Sequence, residues 1–534
     1  MTSPRDVDEL TTDVLVVGGG PAATWAAISA AEAGSRVTLV DKGFCGTSGA
    51  TAAGGNNLWL IPRGRRREES VRESEVAAGG LTDSEWMFRV LATSWDRVEE
   101  LAQWGYPFPS APDGQPLRSS LQGPEYMRRM RRKAHRSGVR ILDHHPALEL
   151  RTDAEGVVDG ARGIARQDDG RPWQISAGAV VLATGGTAFL SGTFGTNVDT
   201  GDGLLMAAEL GASLSGMEFS GAYALAPEWG VHTKGRMLQW ASFYDEFGRP
   251  LATELGLGGR QDAQRVLTQG RRVFARLDRA PLEMRQTMRD AQPNYFLPLD
   301  KAGIDPFTTA YPIRMIHEGS VRGTGGLRLT GPDCATTVPG LFAAGDAATR
   351  ELITGAVSGG GSRNGSWAIA SGTFAGRGAA EFSRGRARTA GHPPVEPGLG
   401  IRPGRAGAPT VDDVVRAAQS HVLPPLRSFL KSADRLTESA AALEGLWRDV
   451  SEGLAPVPRR AAYKPRQAVA MVAAARWITA SSLARTESRG LHRREDLPTR
   501  DHRLDHRILV GGLDEVWTAP DPVLPHLVSS ESAA

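Results

Sequence analysis

Val14-Leu-Val-Val-Gly18-Gly19-Gly20-Pro21-Ala22-Ala23-Thr-Trp-Ala-Ala-Ile-Ser-Ala-Ala-Glu-Ala-Gly34-Ser-Arg-Val37-Thr-Leu-Val-Asp41-Lys42 is the stretch that decides the fold class. The β-branched run at 14–17 predicts a buried strand, the Ala-rich segment after Pro21 a helix, and residues 37–40 a second strand. Between the first strand and the helix, Gly18 permits a tight turn and Gly20 lets the backbone approach a pyrophosphate. Ala23 takes the third small position, where helix meets strand. The helix N-terminus offers free N–H groups and the positive end of the helix dipole to that pyrophosphate. Asp41, 23 residues after Gly18, is placed to bond a ribose hydroxyl. The reading is an α/β fold built on a Rossmann-like βαβ unit that holds a dinucleotide.

Beyond Asp41 the chain continues Gly43-Phe-Cys-Gly-Thr47-Ser48-Gly49-Ala50-Thr-Ala-Ala-Gly54-Gly55-Asn56-Asn57. Small residues at this density let backbone lie against a flat ligand. Two later apolar runs also end in glycine turns: Ala179-Val-Val-Leu-Ala183-Thr184-Gly185-Gly186 and Gly340-Leu-Phe-Ala-Ala-Gly345-Asp346-Ala. This combination points to a flavoprotein and to FAD.

With these motifs in place the chain resembles the flavoprotein-subunit family of succinate dehydrogenase and fumarate reductase. That family also holds L-aspartate oxidase and the alpha subunit of adenylylsulfate reductase. Thr200-Gly-Asp202-Gly followed by Met217-Glu-Phe219 looks like the family's entry into a capping domain. Gly303-Ile-Asp-Pro306 and Gly325-Gly326 look like the return from it. Ser362-Arg363-Asn364 stands at the family's substrate-binding arginine, and Thr486-Glu-Ser-Arg489-Gly-Leu-His492-Arg-Arg-Glu-Asp496 is similar to its signature near the end of the helical domain.

The resemblance implies an FAD-binding domain in two parts (1–210 and 329–383), an inserted α+β capping domain (211–328), a linker (384–410) and a C-terminal helical domain with tail (411–534). Within these spans, Asp83–Gln103, Gly123–Gly138 and Val411–Ser488 carry apolar residues at helical spacing. From Arg489 onward the sequence is polar and is expected to wrap the surface.

Bulk properties fit this picture. A chain of 534 residues can form several domains around a large core. The formal charge is +2, and only six of the 62 basic residues are lysines. Arg63-Gly-Arg-Arg-Arg67 is expected to be a solvated loop, not a nucleic-acid contact. Two cysteines, Cys45 and Cys334, exclude a four-cysteine iron–sulfur cluster within the chain, and no metal site is expected. No apolar run is long enough to span a membrane, so a cytoplasmic protein is expected.

The resemblance also implies a site. Cofactor contacts would come from Gly18, Gly19, Gly20, Pro21, Ala22, Asp41, Lys42, Thr47, Ser48, Gly49, Ala50, Gly54, Gly55, Asn56, Ala147, Ala183, Thr184, Gly185, Asp202 and Asp346, with Ala368 and Ile369 touching the flavin through backbone. Ser48 stands where respiratory members carry the histidine that bonds covalently to flavin, so a non-covalent FAD is implied. Arg363 would hold an anionic substrate, since a guanidinium grips an oxyanion at two points. His317, or Arg322 in its place, is the second candidate, and either Arg260 or Arg265 would be the cap's proton donor. The family's dicarboxylate enzymes carry His-Pro-Thr after Met-Glu-Phe. Here the segment is Ser220-Gly-Ala-Tyr223-Ala-Leu225, which puts succinate itself in doubt.

The expected activity is hydride transfer between flavin N5 and a small anionic substrate, by C–C desaturation or reduction or by amine oxidation. An adenylylsulfate-reductase-like alpha subunit and a non-catalytic electron-relay subunit are the alternatives. Electrons would be exchanged with oxygen, a quinone or a separate iron–sulfur protein.

Overall fold

The computed structural model describes residues 8–111, 113–233, 236–251, 258–358, 360–386, 398–402 and 404–522. Strand Asp8–Val17 lies at the centre of a seven-stranded mixed sheet. It pairs in parallel with Val37–Val40 on one side and with Arg171–Leu182 on the other, and Arg140–Leu142 extends the edge. The long strand Arg171–Leu182 serves two neighbours. Its first half takes Val158–Ala165 antiparallel, and its second half takes Leu341–Ala343 in parallel. That last strand is the return of the chain after the insertion. It sets Gly345 and Asp346 beside the fingerprint turn.

Helix Pro21–Glu32 is buried from Ala22 to Ala30, and its N-terminus faces the ends of the parallel strands. It packs against helix Ser362–Ser383 at close range. A Cβ on Gly372 would stand 2.5 Å from the Ala22 carbonyl oxygen, and one on Gly376 2.2 Å from that of Ala26. Glycine at these two positions lets the helices touch backbone to backbone, which fixes where the second helix begins.

The inserted cap is a four-stranded sheet, Tyr223–Pro227, Tyr311–His317, Val273–Arg276 and Ser242–Asp245 in spatial order, with helix Gly258–Thr268 packed on it. A small cluster around Phe243, Leu277, Tyr295, Phe296 and Tyr311 is its own core. The C-terminal part supplies helices Val411–Val422, Ala433–Glu452 and Tyr463–Ala484. Thr410 and Asp413 form a capping box at the start of the first. The chain is thus an α/β protein with a Rossmann-like domain in two parts, an inserted α+β cap and a C-terminal helical domain.

Two expectations need correction. The segment after Arg489 lies on the surface for much of its length, as expected, but parts of it turn inward. Arg489, His492 and Arg494 are buried, and strand His506–Gly511 pairs with Leu214–Ser215 at the root of the cap and with Trp517–Pro522. Polarity misled because these groups satisfy one another: Arg485 and Arg489 both pair with Glu487. The basic stretch at 63–67 is also more than a loop. Helix Arg65–Ala77 starts inside it, and Arg67 is buried, donating from Nη2 to the Ile61 carbonyl at 2.7 Å. Part of the expected linker, 387–397 and 403, lies outside the described residues.

Candidate active site

A cavity of about 560 Å³ runs from the fingerprint turn to the underside of the cap. Its first half is glycine and small residues. Gly18, with φ +126°, turns the chain where a Cβ would meet the Ala183 carbonyl oxygen at 2.2 Å. A Cβ on Gly19 would meet Asp41 Oδ2 at 2.1 Å, whereas one on Gly20 or Gly49 would meet nothing within 4 Å. Gly18 and Gly19 are therefore required by the protein's own packing. Gly20 and Gly49 leave room facing a ligand.

Asp41 is buried and lines the cavity. It accepts hydrogen bonds from Ser48 Oγ at 2.7 Å and from the Gly43 amide at 3.2 Å. Burial, the largest influence, raises its pKa above the ordinary carboxylate value, and the Ser48 bond opposes that shift. Lys42 Nζ reaches Asp202 Oδ2 at 2.5 Å and Thr200 Oγ1 at 2.9 Å, while Asp346 pairs with the fully buried Arg350. Thr184 lines the cavity with a buried Oγ1 that has no hydrogen-bond partner among the described residues. A glycine cradle, a carboxylate at the strand end and an open hydroxyl are what the adenosine, pyrophosphate and ribityl parts of FAD require, so the residues present fit that group.

Most of the expected cofactor residues converge here. Gly18, Gly19, Gly20, Pro21, Ala22, Asp41, Lys42, Ser48, Gly49, Ala50, Gly55, Asn56, Ala147, Ala183, Thr184, Gly185, Asp202, Asp346 and Ala368 line the cavity. Thr47, Gly54 and Ile369 do not. Thr47 is exposed. Gly54 turns its carbonyl to Asn56 Nδ2 at 2.8 Å, and Ile369 packs into the core beneath the sheet.

The second half of the cavity lies under the cap, and here the expectations separate. Gly361, at the N-cap of helix Ser362–Ser383, lines the cavity together with Ser362, Asn364, Gly365 and Ala368, and the last three continue from it the i+3, i+4, i+7 face. Arg363 falls on the other face. It donates from Nη2 to Ser74 Oγ at 2.7 Å and stacks 5.1 Å over the Trp59 ring. The assignment of Arg363 to substrate is therefore corrected by helical periodicity. Arg322 lines the cavity close to this helix start, and a Cβ on Gly361 would stand 2.9 Å from its Nη1.

His317 is also displaced from the cavity. It is buried between the edges of Phe189 and Tyr223, with ring centroids at 5.8 and 5.0 Å, and neither ring nitrogen has a hydrogen-bond partner among the described residues. Burial, with Lys431 nearby, pushes its pKa down to about 3, so it is neutral.

Of the two cap arginines, Arg260 lines the cavity and Arg265 is exposed. Burial and then the neighbouring Arg322 lower the pKa of Arg260. Glu318 lies near both arginines; it accepts from Thr233 Oγ1 at 2.6 Å and stands 3.6 Å from Arg322 Nε. Glu318, Thr233, Asn364, Gln261, Gln264 and Arg493 are lining residues that the sequence reading missed. Glu318 and Asn364 had a signal, each lying beside a residue already singled out.

The fold and the site define a flavin-dependent oxidoreductase, and the comparisons with known proteins agree. Residues 13–223 match the family described as FAD binding domain, and 461–512 match fumarate reductase flavoprotein C-term. The L-aspartate oxidase of Streptomyces coelicolor is 28% identical over 97% of this chain and 95% of its own. The fumarate reductase flavoprotein subunit of Mycobacterium tuberculosis is 26% identical over 93% and 94%. Among solved structures, E. coli quinol fumarate reductase superposes with a TM-score of 0.82 at 21% identity, covering 97% of both chains. Adenosine-5-phosphosulfate reductase in complex with sulfite gives 0.76 at 19%, covering 98% of both. The chain carries an FAD binding domain and a fumarate reductase flavoprotein C-terminal region, is similar along nearly its whole length to these flavoproteins, and is an FAD-dependent oxidoreductase. No helix among its described residues is long and apolar enough to cross a membrane.

Proposed function

We propose that this enzyme transfers a hydride to or from a small anionic substrate bound between the FAD-binding domain and the cap. The observation that carries the reading is the convergence of Arg260 and Arg322 on the cavity wall with one carboxylate, Glu318, near both. Buried like charges are costly unless compensated, and an anionic substrate supplies the missing compensation. When bound, the flavin supplies hydride acceptance or donation at N5.

The protein's share is positioning. Gly361, Asn364, Gly365 and Ala368 form a flat wall, and the N-terminus of their helix offers free N–H groups to a ring edge that becomes negative on reduction. Arg322 grips a carboxylate at two points. Arg260, carried on the cap helix, covers the substrate and is the group placed to deliver a proton. The cap excludes water from this space. Ser48 at the position of the covalent histidine supports a non-covalent FAD. Electrons then pass to or from oxygen, a quinone or a separate iron–sulfur protein.

Glu318 favours amine oxidation over C–C chemistry, because a carboxylate among arginines can receive a substrate ammonium. The S. coelicolor relative named L-aspartate oxidase supports the same arm. Anaerobic spectra of the holoenzyme with amino acids, dicarboxylates and sulfite test the proposal. Bleaching of the flavin by an amino acid or a dicarboxylic acid is expected. Flavin that changes redox state only with a protein partner would overturn it in favour of a relay.

A further inference from the structure

One buried cation stands behind the cavity and touches elements of both its halves. Arg350 lies in the loop that follows Asp346, and its side chain is wholly shielded from solvent. Its Nη1 pairs with Asp346, which lines the cavity beside the fingerprint turn. Its Nη2 faces three backbone carbonyls, those of Ser320 at 2.6 Å, Val321 at 3.3 Å and Gly323. These belong to the short helix Gly319–Arg322 and its C-cap, and the last carbonyls of a helix have no partner within it. The Arg350 amide adds a bond to the Thr324 carbonyl at 2.8 Å.

Arg322 stands in that turn, in sequence between two of the carbonyls that Arg350 holds. The first half of the turn is pinned separately. The Ser320 amide donates to the Thr187 carbonyl at 3.0 Å, and the Thr187 amide donates to Ser320 Oγ at 2.9 Å. In the second half Arg350 reaches Val321, Gly323 and Thr324. The side chains that assist it are farther off, Asn364 Nδ2 at 3.2 Å from the Val321 carbonyl and Thr349 Oγ1 at 3.3 Å from that of Thr324. A planar guanidinium fork can serve a carboxylate and several carbonyls at once, whereas an ammonium is a point charge. Burial, the largest influence, lowers the pKa of Arg350, Asp346 opposes that shift and Arg322 adds to it. The two guanidinium groups therefore lie within each other's field, and Asp346 with the three carbonyls compensates the buried one.

Resting on the anionic-substrate reading above, we infer that Arg350 is a positioning residue. It sets the Arg322 guanidinium by holding the turn that carries it, and it ties that turn to Asp346 on the nucleotide side. Arg350 is not among the residues of the cavity wall, so it acts through Arg322.

The test is a double-mutant cycle on the FAD-loaded protein, read as the Kd for malonate, succinate and L-aspartate from flavin absorbance. Arg322→Gln is expected to raise Kd at least tenfold for each acid that binds the wild type. Arg350→Lys keeps the charge and loses the fork, and is expected to raise Kd fivefold or more. The double variant should bind within twofold of Arg322→Gln alone, because Arg350 has nothing left to position. An arginine that only supports the fold would multiply the two losses. Amide hydrogen exchange gives a readout that needs no FAD. In Arg350→Lys, residues 320–324 should exchange at least tenfold faster, while Val14–Val17 of the central strand exchange as in the wild type. Four results each overturn the inference and leave the anionic-substrate reading standing: Kd within twofold of wild type in Arg350→Lys, losses that multiply in the double variant, unchanged exchange at 320–324, or faster exchange in both segments. Acids that leave the wild-type flavin unperturbed, or that bind Arg322→Gln as well as wild type, overturn both.

Discussion

Arg363 Nη2 donates to Ser74 Oγ across 2.7 Å, on the face of its helix turned away from the cavity. The contact ties helix Ser362–Ser383 to helix Arg65–Ala77, so this arginine holds the wall of the site in place. Arg363→Ala is expected to cost about 1–2 kcal/mol of stability, the sum of a buried hydrogen bond and a stacked cation. FAD content should be retained and turnover stay within about threefold. Arg322→Gln should do the reverse, with an unchanged melting temperature and kcat/KM lower by roughly 10–150-fold, the equivalent of about 1.5–3 kcal/mol for a charge-assisted bond. Thermal melts beside steady-state assays separate the two outcomes, and equal loss of activity in both variants would restore Arg363 to the substrate.

Acid precipitation should release all of the flavin into the supernatant, and the released species should be FAD. Ser48 Oγ is bonded to Asp41 and offers no nitrogen for a covalent link. Colour retained in the washed pellet, or FMN on chromatography, would contradict this.

Gly19→Ala and Gly20→Ala should part ways in the apoprotein. The first sets a methyl 2.1 Å from Asp41 Oδ2, so it should both lower the melting temperature and abolish FAD binding. The second meets no protein atom within 4 Å, so the apoprotein should melt as wild type while FAD affinity falls. Calorimetry of the apo forms, followed by FAD titration, checks both halves. Unchanged FAD affinity in Gly20→Ala would place the pyrophosphate elsewhere.

Glu351 should make stability fall as pH rises. It is buried beside Glu218, Ser215 Oγ donates to one of its oxygens, and the other has no partner among the described residues. Burial first and Glu218 second raise its pKa to about 8. Between about pH 4.5 and 8 the folded state therefore holds a proton that the unfolded chain has released. This contribution is full below about pH 4.5 and is lost as pH climbs through 8. Glu351→Gln has no proton to lose, so urea unfolding should show its stability gaining on wild type from about pH 5 to pH 8. A difference that is flat across this window would mean that Glu351 is ionised in the fold.

The nucleotide half of the site was legible because its chemistry is backbone chemistry. Gly18, Gly19, Gly20 and Asp41 are constrained by turns and close approach, and such constraints leave residue types at fixed spacing. The substrate half was legible only in outline. The motif Ser362-Arg363-Asn364 marked the region, yet which of its residues turned inward depended on the close crossing set by Gly372 and Gly376. Arg493 stands within a recognised motif, yet nothing local distinguishes it from Arg494, which pairs outward with Asp496. The burial of Arg485, Arg489 and Glu487 was hidden for the same reason. Polarity marks a surface unless the partners are known.

The pairing of His506–Gly511 with Leu214–Ser215 bears on how the enzyme is made. A ribosome releases the dinucleotide fingerprint first and Arg493 among the last segments. The nascent chain can assemble its cofactor cradle while Arg493, on the chamber wall, is still being synthesised. Translation that stops short of residue 493 therefore produces a chain with the fingerprint and without the strand that pairs at the root of the cap. Flavin colour in a preparation therefore reports the two parts of the nucleotide-binding domain, from Gly18 to Ala368, and says nothing of the C-terminal segment.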